Sequence, residues 1–116
     1  MTKKILVVDD EVINLSLLGN FLMPLYSVIF STTGTDALIR AVEQSPDLII
    51  LDVMMPEMDG FEVCQHLKVN NKTAHIPVVF LSALDSDNSI KLGYEVGAVD
   101  YIIKPFDPAA HFTKSI

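Results

Sequence analysis

Asp47-Leu-Ile-Ile-Leu-Asp52, with Val53-Met54-Met55-Pro56 behind it, decides how this chain folds. Four aliphatic residues stand between two acids, and turn-forming residues follow. An apolar run this short, without polar alternation, reads as a strand buried on both faces. Such strands belong to parallel sheets covered by helices on each side. Asp52 then sits where the strand leaves the sheet, at the carboxyl edge where open parallel sheets bind their ligands.

The same alternation extends outward from that strand. Upstream, Lys4-Ile-Leu-Val-Val8 is a first strand, ended by Asp9-Asp10-Glu11. Leu15, Leu18 and Leu22, with Phe21 beside them, recur at helical spacing over about Val12 to Met23, and Pro24 stops the helix. Tyr26 to Ser31 is a second strand. Thr33 or Thr35 caps a helix carrying Ala37, Leu38, Ala41 and Val42, closed by Pro46. Downstream, the loop Val53–Asp59 and Gly60 lead into a third helix marked by Phe61, Val63, Cys64 and Leu67, which ends near Asn70-Asn71. Pro77 to Leu81 is a fourth strand with Ser82 at its end. A fourth helix covers about Ser86 to Val96 and stops at Gly97. Asp100 to Ile103 is a fifth strand, Lys104-Pro105-Phe106 turns the chain, and Asp107-Pro108 opens a last helix with Ala109, Phe112 and Ile116 on one face. Five strands alternating with five helices predict an α/β fold: a flavodoxin-like, doubly wound parallel sheet of order 2-1-3-4-5 with helices on both faces. The switch point falls between strands 1 and 3.

Composition narrows the function classes. A chain of 116 residues, half of them apolar, forms one compact domain with its own core. A net charge of −7 argues against a general nucleic-acid surface. No apolar run approaches the roughly 18 residues of a membrane span. The start Met-Thr-Lys-Lys lacks the pattern of a signal peptide. The single cysteine, Cys64, excludes an internal disulfide and, mid-helix, is expected to be buried and inert. These features predict a cytoplasmic protein. His66, His75 and His111 are scattered and form no ligand cluster.

The switch point gathers Asp9, Asp10 and Asp52 at one crevice. Crowded carboxylates resist ionisation unless something positive settles them. A hard divalent cation with oxygen ligands, Mg²⁺ foremost, suits the set. Lys104, closing strand 5, can reach across as a point charge, and Ser82 offers a hydroxyl. Acids, a metal, a lysine and a hydroxyl around one central Asp suit phosphoryl transfer to the carboxylate, giving an aspartyl phosphate. Glu11 serves the first turn of helix 1, while Glu57 and Asp59 shape the loop and begin helix 3.

Four motifs carry a resemblance: Asp9-Asp10 after Ile-Leu-Val-Val, Leu51-Asp-Val-Met-Met-Pro-Glu-Met-Asp-Gly60, Ser82-Ala83 after Val-Val-Phe-Leu, and Lys104-Pro105-Phe106. Together, in this order, they resemble the response-regulator receiver domain of two-component signalling over essentially residues 1–116. The resemblance implies that Asp52 accepts phosphate from a histidine kinase or phosphotransfer protein. It implies that Asp10 and Asp52 ligate Mg²⁺, that Asp9 acts mainly through water, and that the Met54 backbone carbonyl completes the protein ligands. Ser82 and Lys104 would bind the phosphoryl group, Tyr101 would be the switch aromatic, and Lys104-Pro105 would be cis.

The domain would accept phosphate and switch a partner, not turn over a substrate as an enzyme. In this family the residues two after the acceptor and two after the hydroxyl tune phosphate lifetime. Here they are Met54 and Leu84, both apolar, which implies slow self-dephosphorylation. Ile90 and Tyr94 would lie near Tyr101 on a face of helix 4, strand 5 and helix 5 that meets an attached output domain or a partner protein. A phosphorylation-dependent homodimer is compatible with that face, and the domain itself would touch neither nucleic acid nor membrane. The last helix is shorter than is usual for the family, as expected of a truncated domain or of the front piece of a larger protein.

Three other classes fit less well. A phosphatase of the haloacid-dehalogenase type needs a second Asp where Met54 stands, and a cap domain. A receiver-like interaction module that never takes phosphate usually lacks one of the acids or the lysine. A flavodoxin-type flavin binder needs a phosphate loop where Asp9-Asp10-Glu11 would repel one.

Overall fold

A computed structural model of the chain describes residues 2–105. The expected last helix, with Asp107-Pro108, Ala109, Phe112 and Ile116, lies outside the described residues, as does His111. The elements alternate throughout: β1 (Lys4–Val8), α1 (Val12–Leu22), β2 (Ser27–Ser31), α2 (Gly34–Gln44), β3 (Leu48–Leu51), α3 (Gly60–Val69), β4 (Val78–Ser82), α4 (Asp87–Glu95) and β5 (Asp100–Ile103). All strand pairs are parallel and the sheet order is β2-β1-β3-β4-β5. The chain therefore reverses its winding direction between β1 and β3, which opens a crevice at their carboxyl ends.

Side-chain alternation along each strand builds two cores. Leu6, Val8, Ile49, Leu51, Val78, Phe80 and Tyr101 face α2, α3 and α4, meeting Ala37, Ala41, Val63, Cys64 and Leu67. Ile5, Val7, Ile50, Val79, Leu81 and Ile102 face the other way, against Leu15, Leu18 and Leu22 of α1. Each such aliphatic residue contributes roughly 1.5–3 kcal/mol of burial relative to exposure. The edge strand β2 is only partly covered, whereas β4 is buried at every residue.

Local chemistry sets the helix ends. The side chains of Thr33, Asp59 and Ser86 each accept an N–H from the first turn of α2, α3 and α4. Gly97 takes the positive φ of 113° that follows α4. Ser45 takes the same left-handed region at the end of α2, with φ 47°.

Along α4 the apolar residues differ in exposure. Ile90 and Val96 pack against the core on either side of buried Gly93, while Leu92 and Tyr94 are exposed. The inward stripe follows i, i+3, i+6 spacing through the glycine, and a glycine carries no hydropathy signal of its own.

Candidate functional site

Hydrogen bonding that continues the sheet past its strands places the acids. The Asp9 N–H donates to the Ser31 carbonyl (3.1 Å), and the Asp52 N–H donates to the Val8 carbonyl (3.0 Å). Both residues are thereby held at the switch point and buried, 4% and 6% exposed. Asp10 is exposed, yet one carboxylate oxygen from each of Asp9, Asp10 and Asp52 lies within 4.8 Å of the others.

Lys104 joins this group through the neighbouring strand. Its N–H donates to the Ser82 carbonyl (2.9 Å), and its Nζ then reaches Asp9 Oδ2 at 3.0 Å and Asp52 Oδ2 at 3.3 Å. The Lys104-Pro105 peptide is cis. One ammonium against three carboxylates leaves two negative charges uncompensated. Hard oxygen donors carrying that surplus fit a divalent cation such as Mg²⁺.

The protonation equilibria report this crowding. Burial pushes the Asp52 carboxyl above its ordinary value; Lys104 opposes that shift and the Asp9 charge adds to it. Burial alone would lower the Lys104 ammonium, but the hydrogen bond to Asp9 and the charges of Asp52 and Asp9 outweigh it, and the net direction is up. Lys104 stays charged, and Asp52 is the acid strained by its surroundings.

Ser82 ends β4 fully buried, its Oγ accepting the Leu84 N–H at 3.3 Å. Tyr101 lies inward, 9% exposed, and its hydroxyl donates to the Leu84 carbonyl at 2.7 Å. Burial pushes its phenol up, with the nearby Ser82 hydroxyl acting the other way. Phe80 stacks tilted on Tyr101 (5.8 Å between centroids) and edge-on to Phe61 (5.3 Å). A Cβ on Gly93 would stand 2.7 Å from Tyr101 Cδ2, so α4 rests directly on the ring.

The loop after Asp52 is half core and half surface. Val53 and Met55 are buried, while Met54 is 57% exposed, its N–H making a long 3.4 Å contact to Asp52 Oδ1. Asp59 caps α3, as its place in the sequence suggests, and Glu57 adopts a positive φ of 69°. His66 and His75 are exposed. Cys64 is buried with its thiol pushed up by that burial, which removes thiolate reactivity.

Two residues have roles at the site that the sequence does not announce. Asn14, in the first turn of α1, donates from Nδ2 to Asp9 Oδ2 at 3.1 Å. Its available signal was a polar side chain one turn into the helix that follows the acid pair. Gly60 is the second. Its N–H donates to the Val53 carbonyl (2.8 Å), and a Cβ there would collide with the Asp52 carbonyl oxygen. A glycine at the start of a helix, after an acid, was its signal. The crevice itself, about 590 Å³, runs from Asp9, Asn14, Asp52 and Lys104 along Leu17, Leu18 and Leu81.

Comparison with known proteins identifies the family and the fold. A family model described as the response regulator receiver domain matches residues 5–114. The alkaline phosphatase synthesis transcriptional regulatory protein PhoP of Bacillus subtilis (strain 168) is 46% identical over 109 residues, 93% of this chain and 45% of PhoP. The response regulator PleD of Caulobacter vibrioides (strain NA1000 / CB15N) is 44% identical over 115 residues, 98% of this chain and 25% of PleD. The chain thus spans half or less of the length of these curated relatives. Among solved structures, chemotaxis protein CheY4 of Vibrio cholerae superposes with a TM-score of 0.91 at 30% identity, covering 97% of this chain and 95% of CheY4. The BeF3-activated receiver domain of DrrB gives a TM-score of 0.86 at 36% identity, covering 95% of this chain and 91% of that one. On the family match across nearly its whole length, with the fold and the acid-and-lysine crevice alongside, the chain belongs to the response regulator receiver domains of two-component signalling.

Proposed function

We propose that Asp52 is the phosphoacceptor of this domain and that its phosphorylation switches the α4–β5 side of the molecule. The supporting observation is the single Lys104 ammonium shared by two buried acids, 3.0 Å from Asp9 and 3.3 Å from Asp52. A cation so placed can meet the phosphoryl group arriving at Asp52.

The donor is the phosphohistidine of a histidine kinase or phosphotransfer protein. An Asp52 carboxylate oxygen attacks phosphorus, the P–N bond breaks, and the imidazole leaves and takes up a proton. Asp10, Asp52 and the Met54 backbone carbonyl would hold Mg²⁺, with Asp9 acting through water, and the bound ion would neutralise charge on the transferring phosphoryl oxygens. Lys104 and the Ser82 hydroxyl bind those oxygens. The acyl phosphate carries roughly 1.5–2 negative charges where the Asp52 carboxylate carried one, and it brings new acceptor oxygens, a change large enough to move polar neighbours.

Ser82 and Tyr101 carry the change outward. The Leu84 N–H meets the Ser82 hydroxyl and the Leu84 carbonyl meets the Tyr101 hydroxyl, so any movement of Ser82 reaches the ring beneath α4. The surface above that ring, with Leu92 and Tyr94 exposed, meets an output domain or partner protein, or a second copy after phosphorylation. The greater lengths of PhoP and PleD favour an attached output domain. Exposed Met54 and partly buried Leu84, both unable to hold an attacking water, make the aspartyl phosphate long-lived. No described helix is long and apolar enough to cross a membrane. Phosphate taken from a histidine kinase, the donor proposed above, would place the domain in the cytoplasm.

Incubation with Mg²⁺ and acetyl phosphate tests the assignment. One phosphoryl mass should be gained, and lost in Asp52→Asn and with chelator. Phosphate gained by Asp52→Asn at the wild-type rate would refute it.

A further inference from the structure

We infer that Asn14 is a positioning residue of the crevice, holding the Asp9 carboxylate while Lys104 exchanges its acid partners for an incoming phosphoryl group. The inference rests on the reading of Asp52 as phosphoacceptor and adds a residue to it.

Asp9 is the most heavily bonded acid of the three. Its Oδ1 accepts the Glu11 N–H at 2.9 Å, and its Oδ2 accepts both Lys104 Nζ at 3.0 Å and Asn14 Nδ2 at 3.1 Å. Lys104 is a flexible point charge serving two carboxylates, and a dianionic phosphoryl group competes for it. When Lys104 turns to the phosphoryl oxygens, Asp9 Oδ2 loses its charged partner. A buried carboxylate left short of donors is costly, and it would pull Lys104 back. The Asn14 amide does not depend on the phosphoryl group, so its bond persists through the exchange.

The chemistry of the side chain suits that task. A cation at position 14 would compete with Mg²⁺, and an acid would add a fourth negative charge. An amide donates without changing the charge of the cluster. Helix stability gives no reason for the residue. Asparagine stabilises helices at the N-cap, but here Glu11 is the cap residue and Asn14 lies inside the first turn, where its preference falls below that of alanine. Its location on α1, and not on a loop, keeps the donor fixed relative to the end of β1.

The test compares wild type, Asn14→Ala and Asn14→Asp. Asn14→Asp keeps the shape and removes the donor. Phosphoryl gain from acetyl phosphate is followed by intact mass at saturating Mg²⁺, with Mg²⁺ affinity by calorimetry and folding by urea titration. Both variants should take phosphate about three- to tenfold more slowly. Asn14→Asp should nonetheless bind Mg²⁺ at least as tightly as wild type, which a loss of metal binding would not produce. Transfer at the wild-type rate in either folded variant overturns the inference and leaves the function of Asp52 standing. A wild-type chain that gains no phosphate overturns both. An Asn14→Asp protein that is slow only because it no longer binds Mg²⁺ also overturns it.

Discussion

Replacing Asp52 by Asn should make the protein more stable at neutral pH, although it removes the proposed phosphoacceptor. At an effective dielectric of 20, carboxylate oxygens within 4.8 Å put the Asp9–Asp52 repulsion at about 3.5 kcal/mol or more. The Lys104 ammonium at 3.3 Å returns about 5 kcal/mol on the same basis. Attraction leads by about 1.5 kcal/mol, and desolvation of a side chain 8% exposed, several kcal/mol in effect, outweighs that lead and decides the sign. Asparagine keeps an oxygen for Lys104 and sheds the charge. We expect Asp52→Asn to be more stable by roughly 1–3 kcal/mol at pH 7 without divalent cations. In a domain of this size that raises Tm by about 4 °C per kcal/mol.

The pH dependence gives a second check. Folding raises the Asp52 pKa above its ordinary 3.8, so the folded state keeps a proton that the unfolded chain has released. Wild-type stability therefore falls as pH rises from 3.8 through the raised value. The advantage of asparagine should be full at pH 7 and shrink on acidification toward that ordinary value. Added Mg²⁺ should narrow the gap by stabilising wild type more. Urea unfolding at neutral and acid pH, with and without Mg²⁺, measures all of this. An Asp52→Asn protein no more stable than wild type at pH 7, or equally favoured at both pH values, would refute the electrostatic reasoning.

Three further expectations concern particular residues. Met54→Asn combined with Leu84→Glu should shorten the life of the aspartyl phosphate at least several-fold, read as inorganic phosphate release; equal rates would end the shielding idea. Gly60→Ala should cost about 1–3 kcal/mol and slow phosphorylation, because the new methyl displaces the backbone of Asp52 and Val53; chemical denaturation and intact mass read the two effects. Ser45→Gly, remote from the crevice, should add about 0.5–1 kcal/mol by relieving a left-handed serine with φ 47°, leaving phosphorylation unchanged.

Much of the molecule was legible before any coordinates. Aliphatic runs at Lys4–Val8 and Leu48–Leu51 announce strands because burial on both faces admits no polar residue, and Leu15, Leu18 and Leu22 announce a helix by their spacing. Acids at the ends of two such strands point to one edge once the sheet is parallel. These are local or topological properties, carried by periods of two and 3.6 residues.

What needed the tertiary structure was contact across the chain. Whether Lys104 meets Asp9 as well as Asp52 depends on the Lys104 N–H reaching the Ser82 carbonyl, a register set between β4 and β5. Asn14 joins Asp9 through the placement of α1 against β1, and Gly60 is required by how closely α3 approaches the backbone of Asp52 and Val53. Ile90 turned inward because Gly93 lets α4 settle on Tyr101. Hydropathy ranks residues by their dislike of water; it holds no information on which neighbour a polar group will find or how near two backbones can come, and those distances are set when distant segments pack.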